Sequence, residues 1–92
     1  KTSKFPFKAV GKAIAIGDSE GFVKLVTDDE SGELIGAHLI GPEVTELIAE
    51  IGILKLLEGT NVELGMLTHA HPTLSEALKE AGLAISNEAI HF

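Results

Sequence analysis

Near residue 41 the spacing of the apolar residues changes character, and that change limits the folds open to this chain. Before it, Phe22-Val23-Lys24-Leu25-Val26 alternates as a half-buried strand does, and Leu34-Ile35-Gly36-Ala37-His38-Leu39-Ile40 reads as another. Residues 5–16 also read as extended, with Val10, Ile14 and Ile16 set among small residues. Gly17-Asp18-Ser19-Glu20-Gly21 and Asp28-Asp29-Glu30-Ser31-Gly32 are turn clusters, and connections this short join neighbouring strands in antiparallel fashion. After the change, Val44, Leu47, Ile48, Ile51 and Leu54 recur at helical spacing. Gly41-Pro42 opens that helix, with proline at its favoured first position, and Glu43, Glu46 and Glu50 complement its N-terminal half. Gly59 ends it, Thr60-Asn61-Val62-Glu63 starts a short second helix, and a third runs over about residues 74–83. Strands first and helices afterwards predict an α+β fold, an antiparallel meander sheet followed by helices packed on one face. No repeat, linker or low-complexity tract interrupts residues 1–92, which read as a single domain.

The helix over residues 43–58 has more apolar surface than one stripe. Ile53, Leu56 and Leu57 widen the arc, so the helix is expected to be buried on two sides, against its own sheet and against something else. Ordinary core and a subunit interface both satisfy that pattern.

Composition removes several function classes. Fourteen acidic residues against seven lysines and no arginine give a net charge of −7, the wrong sign for nucleic-acid binding. Glu50 and Lys55 interrupt the best apolar stretch, so no run approaches the roughly 18 residues of a membrane span. No apolar run of about 7–15 residues follows the N-terminal lysines, as a signal peptide requires. The absence of cysteine excludes a disulfide scaffold and leaves the compartment open. A hydrophobic content of 45% with only 4% aromatic predicts an aliphatic core.

Chemistry concentrates in Thr68-His69-Ala70-His71-Pro72-Thr73-Leu74-Ser75-Glu76. Pro72 pushes His71 out of the helical region, onto an extended lead-in. Thr73 and Glu76 have the T-x-x-E spacing of a helix N-terminus, which puts Glu76 in the first turn. Helical side chains lean back toward the N-terminus, so the Glu76 carboxylate can reach the ring of His71. A carboxylate on one ring nitrogen fixes the tautomer and leaves the other free to take a proton. The same spacing also describes a plain capping box, with Glu76 on the backbone N–H of Thr73 and His71 a surface histidine, and capping boxes are the commoner case. His69 and His71 could together bind a metal with Glu76 or His38, although a lone H-x-H is a weak metal motif. His38, within a strand, reads as a structural hydrogen-bonding residue, and His91 as a tail residue. Gly36 and Gly41 punctuate the backbone and fit no phosphate-binding loop. Asp28-Asp29-Glu30 lacks the spaced ligands of a calcium loop and reads as a solvated turn.

As a string, H-A-H-P-T-L-S-E-A resembles the C-terminal signature of dihydrolipoamide dehydrogenase, within the flavin disulfide reductases. Phe5-Pro6-Phe7, Gly11-Lys12-Ala13, Gly21-Phe22-Val23-Lys24, Gly32-Glu33-Leu34-Ile35-Gly36-Ala37-His38 and Ile40-Gly41-Pro42 resemble that family's interface domain, in the right order. Glu46-Leu47-Ile48 and Ala89-Ile90-His91-Phe92 do so too. The resemblance implies that His71 is the active-site base, that Glu76 is its partner, and that His69 is not the base. It also implies that the His71-Pro72 backbone lies against the flavin of the other subunit, through a peptide bond that is often cis in relatives. Part of the arc over residues 43–58 would then be a subunit interface.

The family needs a redox-active cysteine pair and G-x-G-x-x-G turns for FAD and NAD, and neither is present here. The chain is therefore expected to be one domain of a larger enzyme, cut at its N-terminal edge, colourless and inert by itself, with no cofactor of its own. The parent would use FAD and NAD to reoxidise dihydrolipoyl groups as a homodimer. Its partners would be its own FAD and NAD domains and the lipoyl-bearing subunit of a 2-oxo acid dehydrogenase complex or glycine cleavage system. It would be cytoplasmic, or in the mitochondrial matrix of a eukaryote. Glutathione reductase, whose string resembles H-P-T-S-S-E, is the nearest alternative, and Leu74 with His69-Ala70 favours the lipoamide enzyme. A dimerisation module with His71 and Glu76 only as a helix cap is the alternative outside catalysis.

Overall fold

A computed structural model describes residues 1–87; Ala89-Ile90-His91-Phe92, and with it the tail reading of His91, lies outside them. Strands β1 (Thr2–Pro6), β2 (Phe22–Thr27) and β3 (Leu34–Ile40) form an antiparallel sheet in the order β1-β2-β3. Leu25 pairs with Ser3 on one side and Ala37 on the other, and Val23 with Phe5 and Leu39, so these residues share the inner face. Lys4, Phe22 and Lys24 alternate onto the outer face, where the Lys4 ammonium sits 4.2 Å from the Phe22 ring centroid.

Helix α4 (Glu76–Ile85) crosses the inner face over β1 and β2. Ala77, Leu78 and Ala81 are fully buried there, against Phe5, Val23 and Leu25 of the same core. Ser3 Oγ donates to Ala81 O at 2.7 Å and pins strand to helix. Helix α3 (Asn61–Met66) packs on α4 at Gly82, where a Cβ would come within 3.1 Å of Asn61 O and 3.2 Å of Gly65 N. Asn61 Nδ2 donates to Gly82 O at 2.9 Å across that contact. The layered α+β architecture expected from the change of period is the one observed.

Two local expectations fail. The extended reading of residues 5–16 holds only to Pro6; Phe7–Ala9 is a 3-10 turn and helix α1 spans Gly11–Ala15. The apolar residues that turn inward are Val10 and Ala13, three apart as on a helix, while Ile14 and Ile16 are exposed. One helical turn among small residues has too few positions to reveal its period. Pro42 does not open the next helix either, because α2 runs Val44–Leu56 and Glu43 precedes it in the left-handed region at φ 55°. Gly41, at φ 145°, makes the corner ahead of it, since a Cβ there would meet Phe7 Cδ2 at 2.7 Å and Glu20 O at 2.8 Å. The chain must turn before it can coil, and this displaces the helix start by two residues.

Helix α2 packs along β3 and buries Ile51, with Val44, Leu47 and Leu54 half covered. Its other apolar residues are not covered by this chain: Ile53 is 54% exposed, Leu56 77% and Leu57 73%. The sheet side of the expected two-sided burial is present, and the second side is bare.

Candidate functional site

Helix α3 ends at Met66, and α4 begins at Glu76; the segment between them carries the candidate residues. Within it the His71–Pro72 peptide bond is cis. His71 Nδ1 lies 3.0 Å from each carboxylate oxygen of Glu76. Glu76 Oε1 also accepts the backbone N–H of Thr73 at 2.9 Å. The two readings of T-x-x-E are therefore not exclusive: one carboxylate caps the backbone and holds the imidazole. The cap itself differs from expectation, since Ser75 occupies the N-cap position with helical torsions and no side-chain cap bond. Thr73 Oγ1 instead donates to Ala70 O at 2.6 Å, bracing the segment from within. The other T-x-x-E, Thr60 to Glu63, makes a complete capping box as expected, with no histidine near it in sequence.

A carboxylate only accepts, so Nδ1 of His71 carries the hydrogen of that bond, and in the neutral ring Nε2 presents its lone pair. Among the described residues nothing hydrogen-bonds to that Nε2. The His71 side chain is 74% exposed, whereas that of Glu76 is only 18% exposed. A partly buried carboxylate thus orients an open ring, the arrangement a general base requires. Beside them lies a cleft of about 200 Å³ lined by Ala9, Val10, Gly11, His71, Glu76 and Glu80. Glu80, only 3% exposed, was not singled out by sequence reading. Its one signal is its place one turn after Glu76, between the core residues Ala77 and Ala81.

The other histidines go elsewhere. The His69 side chain is 3% exposed, with Nε2 at 2.5 Å from Glu50 Oε2 on α2 and Nδ1 at 3.1 Å from Leu67 O. His69 and His71 thus engage different carboxylates, and among the described residues no cluster of His, Cys, Asp or Glu is placed to hold a metal ion. His38 is exposed on the sheet opposite Lys24, and its ring makes no hydrogen bond among the described residues, so the structural bonding role expected for that side chain is not found. Asp28 accepts from Glu30 N, Ser31 N and Ser31 Oγ at 2.8–3.1 Å, closing its turn. Those bonds, the Ser31 backbone N–H foremost, hold its carboxyl below the usual 3.8.

The domain is thus a sheet covered on one face by helices, with an oriented imidazole held open at one edge. Residues 1–82 match the family model of the pyridine nucleotide-disulphide oxidoreductase dimerisation domain. The chain is 52% identical over its whole length to a dihydrolipoyl dehydrogenase of Bacillus subtilis and 47% identical to one of Corynebacterium glutamicum, covering 19% and 20% of those proteins. Among solved structures, LpdA of Mycobacterium tuberculosis superposes with a TM-score of 0.87 at 27% identity, over 92% of this chain and 18% of that one. The HOCl-induced flavoprotein disulfide reductase RclA of Escherichia coli shares the fold, with a TM-score of 0.85 at 22% identity, over 89% of this chain and 19% of that one. The chain belongs to the dimerisation-domain family of the pyridine nucleotide-disulphide oxidoreductases. It spans about a fifth of the length of the curated relatives it matches.

Proposed function

We propose that this chain is the interface domain of a dihydrolipoyl dehydrogenase and lends His71 to the active site of the other subunit. The observation that carries this reading is the exposed imidazole with Nδ1 held by the Glu76 carboxylate and Nε2 unengaged. In the proposed step Nε2 takes the proton of one dihydrolipoyl thiol. The resulting thiolate attacks one sulfur of the parent's redox-active disulfide, forming a mixed disulfide and releasing the other sulfur as a thiolate. The second lipoyl thiol then attacks the lipoyl sulfur of the mixed disulfide, which breaks the bond to the parent's cysteine and closes the lipoyl disulfide; its proton passes to a cysteine thiolate, and the parent's cysteine pair is left reduced. A thiol attacks poorly and a thiolate well, so the work asked of His71 is proton removal at the moment of attack. Glu76 keeps the acceptor nitrogen pointed outward and stabilises the imidazolium that forms.

FAD and NAD belong to the proposed parent, where bound FAD would pass the electrons on to NAD. The residues of this chain that would meet the flavin are His71 and Pro72; both are exposed, which leaves their backbone open to approach. The lipoyl-bearing subunit of a 2-oxo acid dehydrogenase complex or of a glycine cleavage system would supply the substrate, in the cytoplasm or in a mitochondrial matrix. The names of the similar curated relatives favour this reading over glutathione reductase.

The test is His71→Gln in the full-length enzyme. Flavin content and dimerisation should stay unchanged while NAD-linked oxidation of dihydrolipoamide slows by about 10²–10⁴-fold, the usual worth of a positioned acid–base group. Loss of turnover only in step with loss of folded protein would support the capping module instead.

A further inference from the structure

The segment that carries His71 has little backbone support. Among the described residues, 68–72 take part in no backbone–backbone hydrogen bond. A ring 74% exposed on such a segment keeps its place only if side chains hold the segment down. Thr73 braces it internally through Ala70 O, and Glu76 holds the ring itself. His69 ties the segment to α2, an element that does not flank it. Its ring is buried, two residues ahead of His71, and reaches Glu50 in the middle of α2, nineteen positions away. On its other side Nδ1 meets Leu67 O, the carbonyl at the segment's entrance, which Lys79 Nζ also approaches at 3.5 Å. A neutral ring can donate one of these bonds, and a ring with both protons donates both, so the contact to α2 is available in either state.

We propose that His69 and Glu50 act as a positioning pair for the proposed reaction, fixing the segment that presents His71 to the helix that carries the uncovered apolar face. The inference rests on the acid–base reading of His71. His69 is not the base in this reading: it touches no reacting atom and works through the placement of His71. Small displacements of a catalytic group are costly, and a misplacement of about 1 Å reduces rates by up to about 10²-fold. The pair also gives α2 a direct mechanical link to the imidazole, so whatever covers Ile53, Leu56 and Leu57 bears on the placement of the base.

The experiment is a double-mutant cycle in the full-length enzyme, with His69→Phe, which fills the ring's space without its bonds, and His71→Gln. Reduction of the enzyme-bound flavin by dihydrolipoamide is followed in a single turnover, with flavin content and melting temperature measured on every variant. His69→Phe should slow the reduction about 10- to 100-fold at full flavin content, with a change of less than about threefold in the half-saturating dihydrolipoamide concentration. In the His71→Gln background the same replacement should add no more than about a twofold loss, because the group it positions is gone. Glu50→Gln keeps the shape of its side chain; it should show a smaller loss with the same dependence on His71, and it carries the test if His69→Phe does not assemble. A His69→Phe loss that multiplies fully with that of His71→Gln, that follows flavin loss, or that is absent overturns the positioning pair. An enzyme indifferent to His71→Gln overturns the acid–base reading instead, so the two failures are distinguishable.

Discussion

At the scale of single residues, Glu76 has two duties, and its replacement separates them. Glu76→Gln removes the charge that would stabilise an imidazolium in the proposed step but leaves an oxygen for Thr73 N–H and for His71 Nδ1. It should therefore slow turnover less than His71→Gln and leave the melting temperature within a few degrees, checked by steady-state assay and thermal unfolding on one preparation. A Glu76→Gln variant slower than His71→Gln would mean that the carboxylate, not the ring, handles the proton. The His71–Glu76 pair was legible in the sequence because its logic is local: proline fixes the lead-in, and five positions return the carboxylate to the ring. His69–Glu50 was not legible, since nothing in spacing relates a helix residue to a loop residue nineteen positions on. Glu80 escaped for a related reason, because an acidic residue on a helix normally reads as solvated.

At the scale of elements, the load falls on α4 and on the cap of α3. Leu78 is fully buried under the sheet, and Leu78→Ala should cost about 2–5 kcal/mol, measured by denaturant unfolding. Thr60→Ala opens the capping box and should cost about 1 kcal/mol. Glu63, the other half of that box, has its carboxyl held below the ordinary 4.5, chiefly by the Thr60 backbone N–H and then by the Thr60 hydroxyl. A depressed carboxyl contributes stability that is fully present above its unfolded value and fades as the pH falls through the folded one. The α3 cap should therefore weaken only below about pH 4.5, with Glu63→Gln less stable than the parent at neutral pH and converging with it in acid. A gap between the two that persists unchanged into acid would assign the Glu63 charge no role. Strand β2 was legible because its burial alternates residue by residue, and β3 because a mostly apolar run of seven residues is bounded by the turn at Asp28–Gly32 and by Gly41. Helix α1 was not, being five residues long with Val10 and Ala13 as its only inward markers.

At the scale of the whole molecule, the uncovered side of α2 is the feature the single chain leaves unexplained. Ile53 and Leu57 line a groove of about 200 Å³ with Leu54, Leu64 and Leu67, bordered by Glu50 and Glu63. Apolar surface of this kind marks contacts with a partner, and family membership makes a second copy the natural one. Leu56→Glu combined with Leu57→Glu should shift the full-length protein from dimer to monomer in sedimentation, and turnover should fall with the dimer fraction; an unchanged dimer would place the contact elsewhere. The central claim is sharper than dimerisation: His71 of one subunit serves the disulfide of the other. It is tested most directly by a mixed dimer of one His71→Gln subunit and one subunit whose redox-active cysteines are replaced by serine. Each parent homodimer should be nearly inactive. The mixed dimer pairs intact cysteines with an intact His71 in one of its two sites, and it should recover about half the activity of the unmodified enzyme when the imidazole acts across the interface. Activity no higher than that of the two inactive parents, in a dimer shown to be mixed and fully flavinated, would contradict the account.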